Sequence, residues 1–218
     1  MTENFEIPDF SGDDFADDKE IQQIRAAEKA YLNMVNEALE LIKRNLNVID
    51  SSHINLKGFH MFKSLYPILR QSMKSVNSNK KLRISLASYS SSFPTAKSAN
   101  SGTDQYLFGH LETKNKYPRA YFHRETIKEK IENIFLRRDV DFKNSRAFSR
   151  KFQALTEDKD QLLNLLQFKD LDILTNFPEM EFEFCNNTML FRTSRKAISV
   201  EEASIFCELS KAMEKLFG

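Results

Sequence analysis

Residues 180–192 constrain this chain more tightly than any other segment. Met180, Phe182 and Phe184 alternate with Glu181 and Glu183, the pair Asn186-Asn187 follows, and Met189 to Arg192 returns. A period of two places alternate side chains on opposite faces of a strand and cannot make one face of a helix. Asn tolerates positive φ in a tight turn, so the segment predicts an antiparallel hairpin. Its expected faces are an apolar one burying Phe182 and Phe184 and a solvated one carrying Glu181 and Glu183.

Other strands are expected around it. Leu82, Ile84 and Leu86 alternate with Arg83, Ser85 and Ala87, as in a half-buried strand. Tyr106 to Glu112 and Arg119 to Arg124 flank Lys-Asn-Lys-Tyr-Pro, which reads as a second hairpin with a loop of several residues. Between Ser88 and Asp104 the chain is rich in Ser, Thr, Asn and Ala and contains Pro94 and Gly102, predicting a long loop. Phe148, Phe152 and Ala154 alternate through a further expected strand.

Helical spacing governs the remainder. Ile21, Ile24, Ala27, Tyr31, Met34, Ala38 and Leu41 recur at steps of three and four, predicting an amphipathic helix from Asp18, capped by Asp17 or Asp18, to about Arg44 or Asn45. Phe59, Phe62, Leu65, Leu69 and Met73 predict more helix over 53–76, limited by Pro67. Thr126 with Glu129 and Ser199 with Glu202 read as capping boxes, the first opening a helix through Ile127, Ile131, Ile134 and Phe135. The second opens a terminal helix whose stripe is Val200, Ala203, Phe206, Leu209, Met213 and Leu216. Asp158 caps a leucine-rich stretch from Leu162 to Leu166, and Leu171 to Leu174 continues as a short helix. The expected fold is α+β: an antiparallel sheet packed by helices and preceded by an N-terminal helical region. Its expected divisions are an acidic flexible tail (1–17), the helical region (18–76) and the α+β domain (82–218).

The charge distribution sets the tail apart. Glu3, Glu6, Asp9, Asp13, Asp14, Asp17, Asp18 and Glu20 stand against Lys19 alone, so the first 20 residues carry −7 in a chain of net charge +1, leaving +8 on the other 198. Phe5, Ile7, Phe10 and Phe15 are scattered among these acids with Pro8 and Gly12, and no helical or strand period survives. Two cysteines, Cys185 and Cys207, are too few for a disulfide framework. With no apolar run of about 20 residues, a cytoplasmic protein without membrane spans is expected.

Signatures of chemistry are sparse. The five glycines, Gly12, Gly58, Gly102, Gly109 and Gly218, form neither a phosphate loop nor a dinucleotide fingerprint, and no cofactor is expected. His110 and His123 on opposite strands of the 106–124 hairpin, with Glu112 or Glu125, are the one pair resembling a metal site, and a satisfied surface pair explains them better. His53 and His60, seven apart, are placed on one helix face. The cysteines read as core-filling thiols, and Ser88 and Ser90 to Ser92 lack a glycine-framed elbow. Glu181 and Glu183 lie about 7 Å apart along a strand, a separation seen in acid–base pairs, but solvated acids explain it better. Lys80, Lys81, Arg83, Lys114, Lys116, Arg137 and Arg138 with Tyr106, Tyr117 or Tyr121 offer a nucleic-acid surface only if they converge.

The reading that follows is a non-catalytic protein-binding or adaptor protein whose partner meets Phe5, Ile7, Phe10 and Phe15. Behind it stand a nucleic-acid-associated protein with an autoinhibitory acidic tail and an enzyme with an unrecognised site. Because polar loops bury little, shortening the 88–104 loop at its tip should leave the thermal midpoint nearly unchanged in a calorimetric scan.

Overall fold

The computed structural model describes residues 18–56, 58–62, 68–77, 81–88, 105–124, 140–194 and 196–218. Helix α1 runs from Asp18 to Leu46 and ends where Asn47 adopts φ +50°, the left-handed conformation that terminates helices. The strands are β1 (Val48–Asp50), β2 (Ile68–Ser75), β3 (Leu82–Ser88), β4 (Gln105–Arg124), β5 (Phe152–Thr156) and β6 (Glu181–Arg192). Between β4 and β5 lies the short helix α2 (Arg146–Ser149). Helix α3 (Lys159–Leu166) and a 3-10 turn (Leu171–Asn176) precede β6, and α4 (Val200–Phe217) follows it. All six β-segments join in one antiparallel sheet, so the fold is α+β as expected.

β6 does not run straight. Fully extended, its ends would lie roughly 35 Å apart, yet Arg192 Nε donates to Glu181 Oε2 at 3.1 Å. Thr188 Oγ1 donates to the Cys185 carbonyl at 2.7 Å, and Asn186 has φ +60°. The segment therefore turns at Asn186-Asn187, as the sequence predicts.

β4 must turn as well. Gly109–Glu112 pairs with the returning arm of β6, and Tyr117–Phe122 pairs with the outgoing arm, each antiparallel. Since the arms of β6 run oppositely, the halves of β4 do too, and the chain reverses at Thr113–Lys116, where Thr113 Oγ1 donates to the Asn115 carbonyl at 2.7 Å.

The two arms of β4 do not pair with each other, which corrects the simple hairpin expected there. At Gly109–Leu111 one edge is taken by β3 and the other by β6. At Ala120–Phe122 the two edges are taken by β5 and β6. The β6 hairpin is thus inserted between the arms, and the loop crosses its tip. Three strand spacings are about 14 Å, within the ~17 Å that five residue steps reach.

The second correction concerns residues 53–76, expected as helix. Their described part holds a 3-10 turn at His60–Phe62 and strand β2, paired with β1 and β3; Leu65 and Pro67 lie outside the described residues. Spacing of four between Leu69 and Met73 is equally compatible with a strand, and pairing on both edges decides. A bulge between Leu69 and Gln71 then sends Leu69 to one face of the sheet and Met73 to the other. Phe148, expected in a strand, sits in α2, with its N–H donated to Asp172 Oδ1 at 2.8 Å. The helix expected from Thr126 and most of the 88–104 loop lie outside the described residues.

Both faces of the sheet are covered. On one, Leu82, Ile84, Leu111, Phe122, Phe182, Phe184 and Phe191 pack against α1 and α4. Phe122 and Phe182 stack at 4.2 Å between centroids, and Phe191 stacks on Phe206 at 5.8 Å. This core draws on Val35, Ala38 and Ile42 as well as Phe217, so residues on both sides of position 80 share it. On the other face Ala87, Phe108 and Leu190 lie beneath Leu56, Phe59, Met61 and Phe62. Asp158 caps α3 through Gln161 N–H at 2.9 Å, and Ser199 caps α4 through Glu202 N–H at 3.1 Å. The second capping box is not reciprocal, because the Glu202 carboxylate accepts the hydroxyls of Thr193 and Ser194 instead. No helix among the described residues is long and apolar enough to cross a membrane.

Gly109 sits directly against Phe191, and a Cβ there would fall inside that ring. Gly109→Ala should therefore destabilise the fold by roughly 1–3 kcal/mol, the usual cost of overpacking. Phe191→Leu in the same chain should return part of the loss in a urea titration.

Candidate functional site

The acid pair on β6 lies inside the protein. Glu181 and Glu183 are both buried, which corrects the solvated face expected for them. The alternation was sound, but the second face of the sheet is roofed by the 51–62 segment. Glu183 accepts the backbone N–H of His60 at 2.7 Å through Oε1 and that of Met61 at 2.9 Å through Oε2. Arg119 adds Nε and Nη2 contacts to Glu183 Oε1, both at 3.4 Å, and donates to the Gly58 carbonyl. Glu181 Oε2 accepts Arg192 Nε at 3.1 Å, Arg192 Nη2 at 2.5 Å and the Tyr121 hydroxyl at 2.8 Å. The Arg192 guanidinium also lies over the Phe108 ring, 5.8 Å from its centroid.

Desolvated charges persist only when paired and hydrogen-bonded, and these are. The Glu183 carboxylate is engaged by two backbone amides and a guanidinium, and Glu181 by Tyr121 and Arg192. The arrangement fastens the Gly58–Phe62 segment to the sheet.

The histidines do not converge. His110 and His123 sit on different arms of β4 with the β6 hairpin between those arms, which corrects their placement across one simple hairpin. His110 packs edge-on against Phe59 at 6.3 Å, and its Nδ1 is buried without a hydrogen-bond partner. Burial, with the nearby Arg83 charge, lowers its pKa against an opposing contribution from Glu112. His123 stacks on Tyr121 at 5.2 Å. His53 pairs with Ser72 Oγ at 3.0 Å while His60 tilts against Tyr121 at 5.5 Å, so they share no helix face. Among the described residues no three His, Cys, Asp or Glu side chains group as a metal site.

Cys207 is buried, and burial pushes its thiol up to about 11, leaving little thiolate at neutral pH. Cys185 is half-buried beside Asn186, whose Nδ2 lies 3.9 Å from its sulfur. Ser88 is buried and accepts Arg70 Nε at 2.9 Å. Of the basic residues, Lys81 pairs with Glu112 at 2.9 Å, while Lys114 and Lys116 are exposed at the β4 turn. Lys80, Arg137 and Arg138 lie outside the described residues. Tyr117 is buried and stacked on Phe184 at 4.1 Å, so its ring is not open to a base. A cleft of about 380 Å³ lies between the Asp141–Ser145 loop and α3; there Asn144 Nδ2 donates to the Gln167 carbonyl at 2.5 Å and Ser145 Oγ accepts Leu171 N–H at 3.0 Å.

The surface the sequence reading missed is on α1. Its buried stripe starts at Val35 and continues through Ala38, Leu39 and Ile42. Ile24 occupies the same angular position three turns earlier, yet it is 52% exposed, and Leu32 nearby is 54% exposed. Tyr31, whose hydroxyl accepts Gln105 N–H at 3.1 Å, marks where the helix leaves the sheet. The preceding turns overhang the body, reaching about 20 Å from Tyr31 to Asp18 at 1.5 Å per residue. Spacing alone could not show this, because the stripe is unbroken from Ile21 to Leu41. Phe5, Ile7, Phe10 and Phe15, the residues expected to meet a partner, lie outside the described residues.

If the buried pair serves structure, removing one partner and removing both should differ sharply. Arg192→Leu should cost roughly 3–5 kcal/mol by stranding Glu181, whereas Glu181→Leu with Arg192→Met should recover most of it. Chemical denaturation of the two variants beside the unaltered protein measures the contrast. No family model, no curated protein and no solved structure matches this chain.

Proposed function

We propose that this protein is a non-catalytic binding or adaptor protein, which holds out its acidic, aromatic N-terminal segment to a protein partner. The observation that carries the reading is the overhang of α1. A helix is stiff, so its exposed stretch from Gln22 to Ala30 is suited to act as a stalk beyond Tyr31. Phe5, Ile7, Phe10 and Phe15 precede it. Isolated aromatics among acids bury nothing by themselves and gain most by entering an apolar groove on another protein.

The groups best suited to chemistry support a binding role by their engagement elsewhere. Glu181, Glu183, Arg119 and Arg192 fasten one segment to the sheet, and Cys207 fills the core. Both cysteines are free, which suits the reducing cytoplasm we assign as its location.

Capture from native lysate tests the reading, using the full chain, the chain lacking residues 1–17, and Phe5→Ala/Phe10→Ala/Phe15→Ala. One protein should be retained by the full chain and lost from both variants, with thermal midpoints unchanged. Equal retention by all three would overturn the role of the segment.

A further inference from the structure

We infer that Gly58–Phe62 is an acid-sensitive roof, closed over the sheet while the His110 imidazole beneath it is neutral and released when that ring takes up a proton. The inference concerns the body of the protein and is independent of the role proposed for its N-terminal segment.

The position of the ring carries the argument. On β4, Phe108, His110 and Glu112 alternate toward the face that the roof covers, and Phe108 lies in the apolar cluster formed with Phe59, Met61 and Phe62. Phe59 meets the His110 ring edge-on at 6.3 Å between centroids. The imidazole Nδ1 is buried and has no hydrogen-bond partner. A neutral ring can carry its proton on Nε2 and leave Nδ1 as a bare acceptor, at a modest desolvation cost. The cation has no such choice, because both nitrogens then bear N–H and a charged donor is stranded beneath the roof.

The neighbouring charges oppose the cation as well. Arg83 on β3 is the register partner of His110, and Lys74 on β2 is in turn paired with Arg83. Glu112, two residues along β4, favours the cation, but its carboxylate is already held by Lys81 at 2.9 Å. On β6 the register partner is the uncharged Leu190, and Arg192 beyond it is held by Glu181. From the covering segment, His60 tilts against Tyr121 and His53 is turned to Ser72. Burial and then Arg83 accordingly hold the His110 pKa below its ordinary value of 6.5, against the pull of Glu112.

With the roof open, Nδ1 meets solvent and the ring returns toward 6.5. Between the two values the open state binds more protons than the closed one. Closure is therefore undiminished above pH 6.5 and is lost as pH falls below it, by up to about tenfold in the opening equilibrium per pH unit until the lowered value is reached. Glu183 provides the means of reading this, because its carboxylate accepts the backbone N–H groups of His60 and Met61 in the closed roof. Opening frees both amides and bares Ala87, Phe108 and Leu190.

Native-state hydrogen exchange of the full chain tests the switch, with each rate divided by that of an unstructured peptide at the same pH. Between pH 7.5 and 5.5 the opening constants of the His60 and Met61 amides should rise several-fold, up to about tenfold. In His110→Leu they should stay constant over the same range. Two further variants leave the ring in place. Arg83→Gln removes a repulsion, so it should raise the ring's pKa and shrink the pH response, whereas Glu112→Gln should lower the pKa and enlarge it. The imidazole itself, followed by its nitrogen-15 chemical shifts, should titrate below 6.5 with its neutral-form proton on Nε2. Titration at or above 6.5, opening constants indifferent to pH, or variants at Arg83 and Glu112 without opposed effects would overturn the inference. An equal rise in His110→Leu would overturn it too, by assigning the response to the Glu183 carboxylate.

Discussion

A gap between two strands of a sheet leaves rows of backbone N–H and C=O groups that must find partners, and the largest constraint on this fold is the gap inside β4. The chain reverses at Thr113–Lys116 but leaves room for two strands between the arms, and the β6 hairpin occupies that room. The rest of the architecture follows. Phe182, Phe184, Met189 and Phe191 arrive at the centre of the layer facing α1 and α4, while Glu181, Glu183 and Arg192 arrive on the opposite face. Because that face is covered by the 51–62 segment, its charges must be satisfied internally, and the backbone amides of His60 and Met61 do so.

The Glu183 arrangement joins two levels of the structure. Its carboxylate receives N–H groups from the start of a 3-10 turn, where donors lack partners in the turn itself. The same contact fixes Phe59, Met61 and Phe62 over Phe108 and Leu190. Polar satisfaction and apolar burial on this face are therefore coupled.

Much of this was legible in the sequence where a local period coincides with tertiary need. The turn at Asn186-Asn187, the reversal after Glu112, the caps at Asp158 and Ser199 and the span of α1 all rest on nearby residues. What local pattern lacks is information about what lies across a face. Glu181 and Glu183 alternate with phenylalanines as solvated acids would, and only the roof of Gly58–Phe62 makes them buried. Leu69 and Met73 fit a helix until pairing with β1 and β3 decides otherwise. Ile24 continues the stripe of Val35 and Ile42, and nothing in its spacing reveals that the body ends at Tyr31. The exposed face of α1 at Ile24 and Leu32 was not legible for that reason, being a fact of shape and not of spacing.

The insertion of β6 also sets an order of assembly. Strands at the centre of this sheet come from residues 181–192, far along the chain from the neighbours at 105–124 that they separate. During synthesis the arms of β4 emerge well before their filling hairpin, and long-range pairing of this kind is slow. Until β6 and α4 have left the ribosome, Phe122 and Leu111 lack the phenylalanines that cover them, and the inner edges of β4 stand open to other strands. The interval between the emergence of Arg124 and that of Phe217 is accordingly the one in which the apolar face of β4 has the least cover.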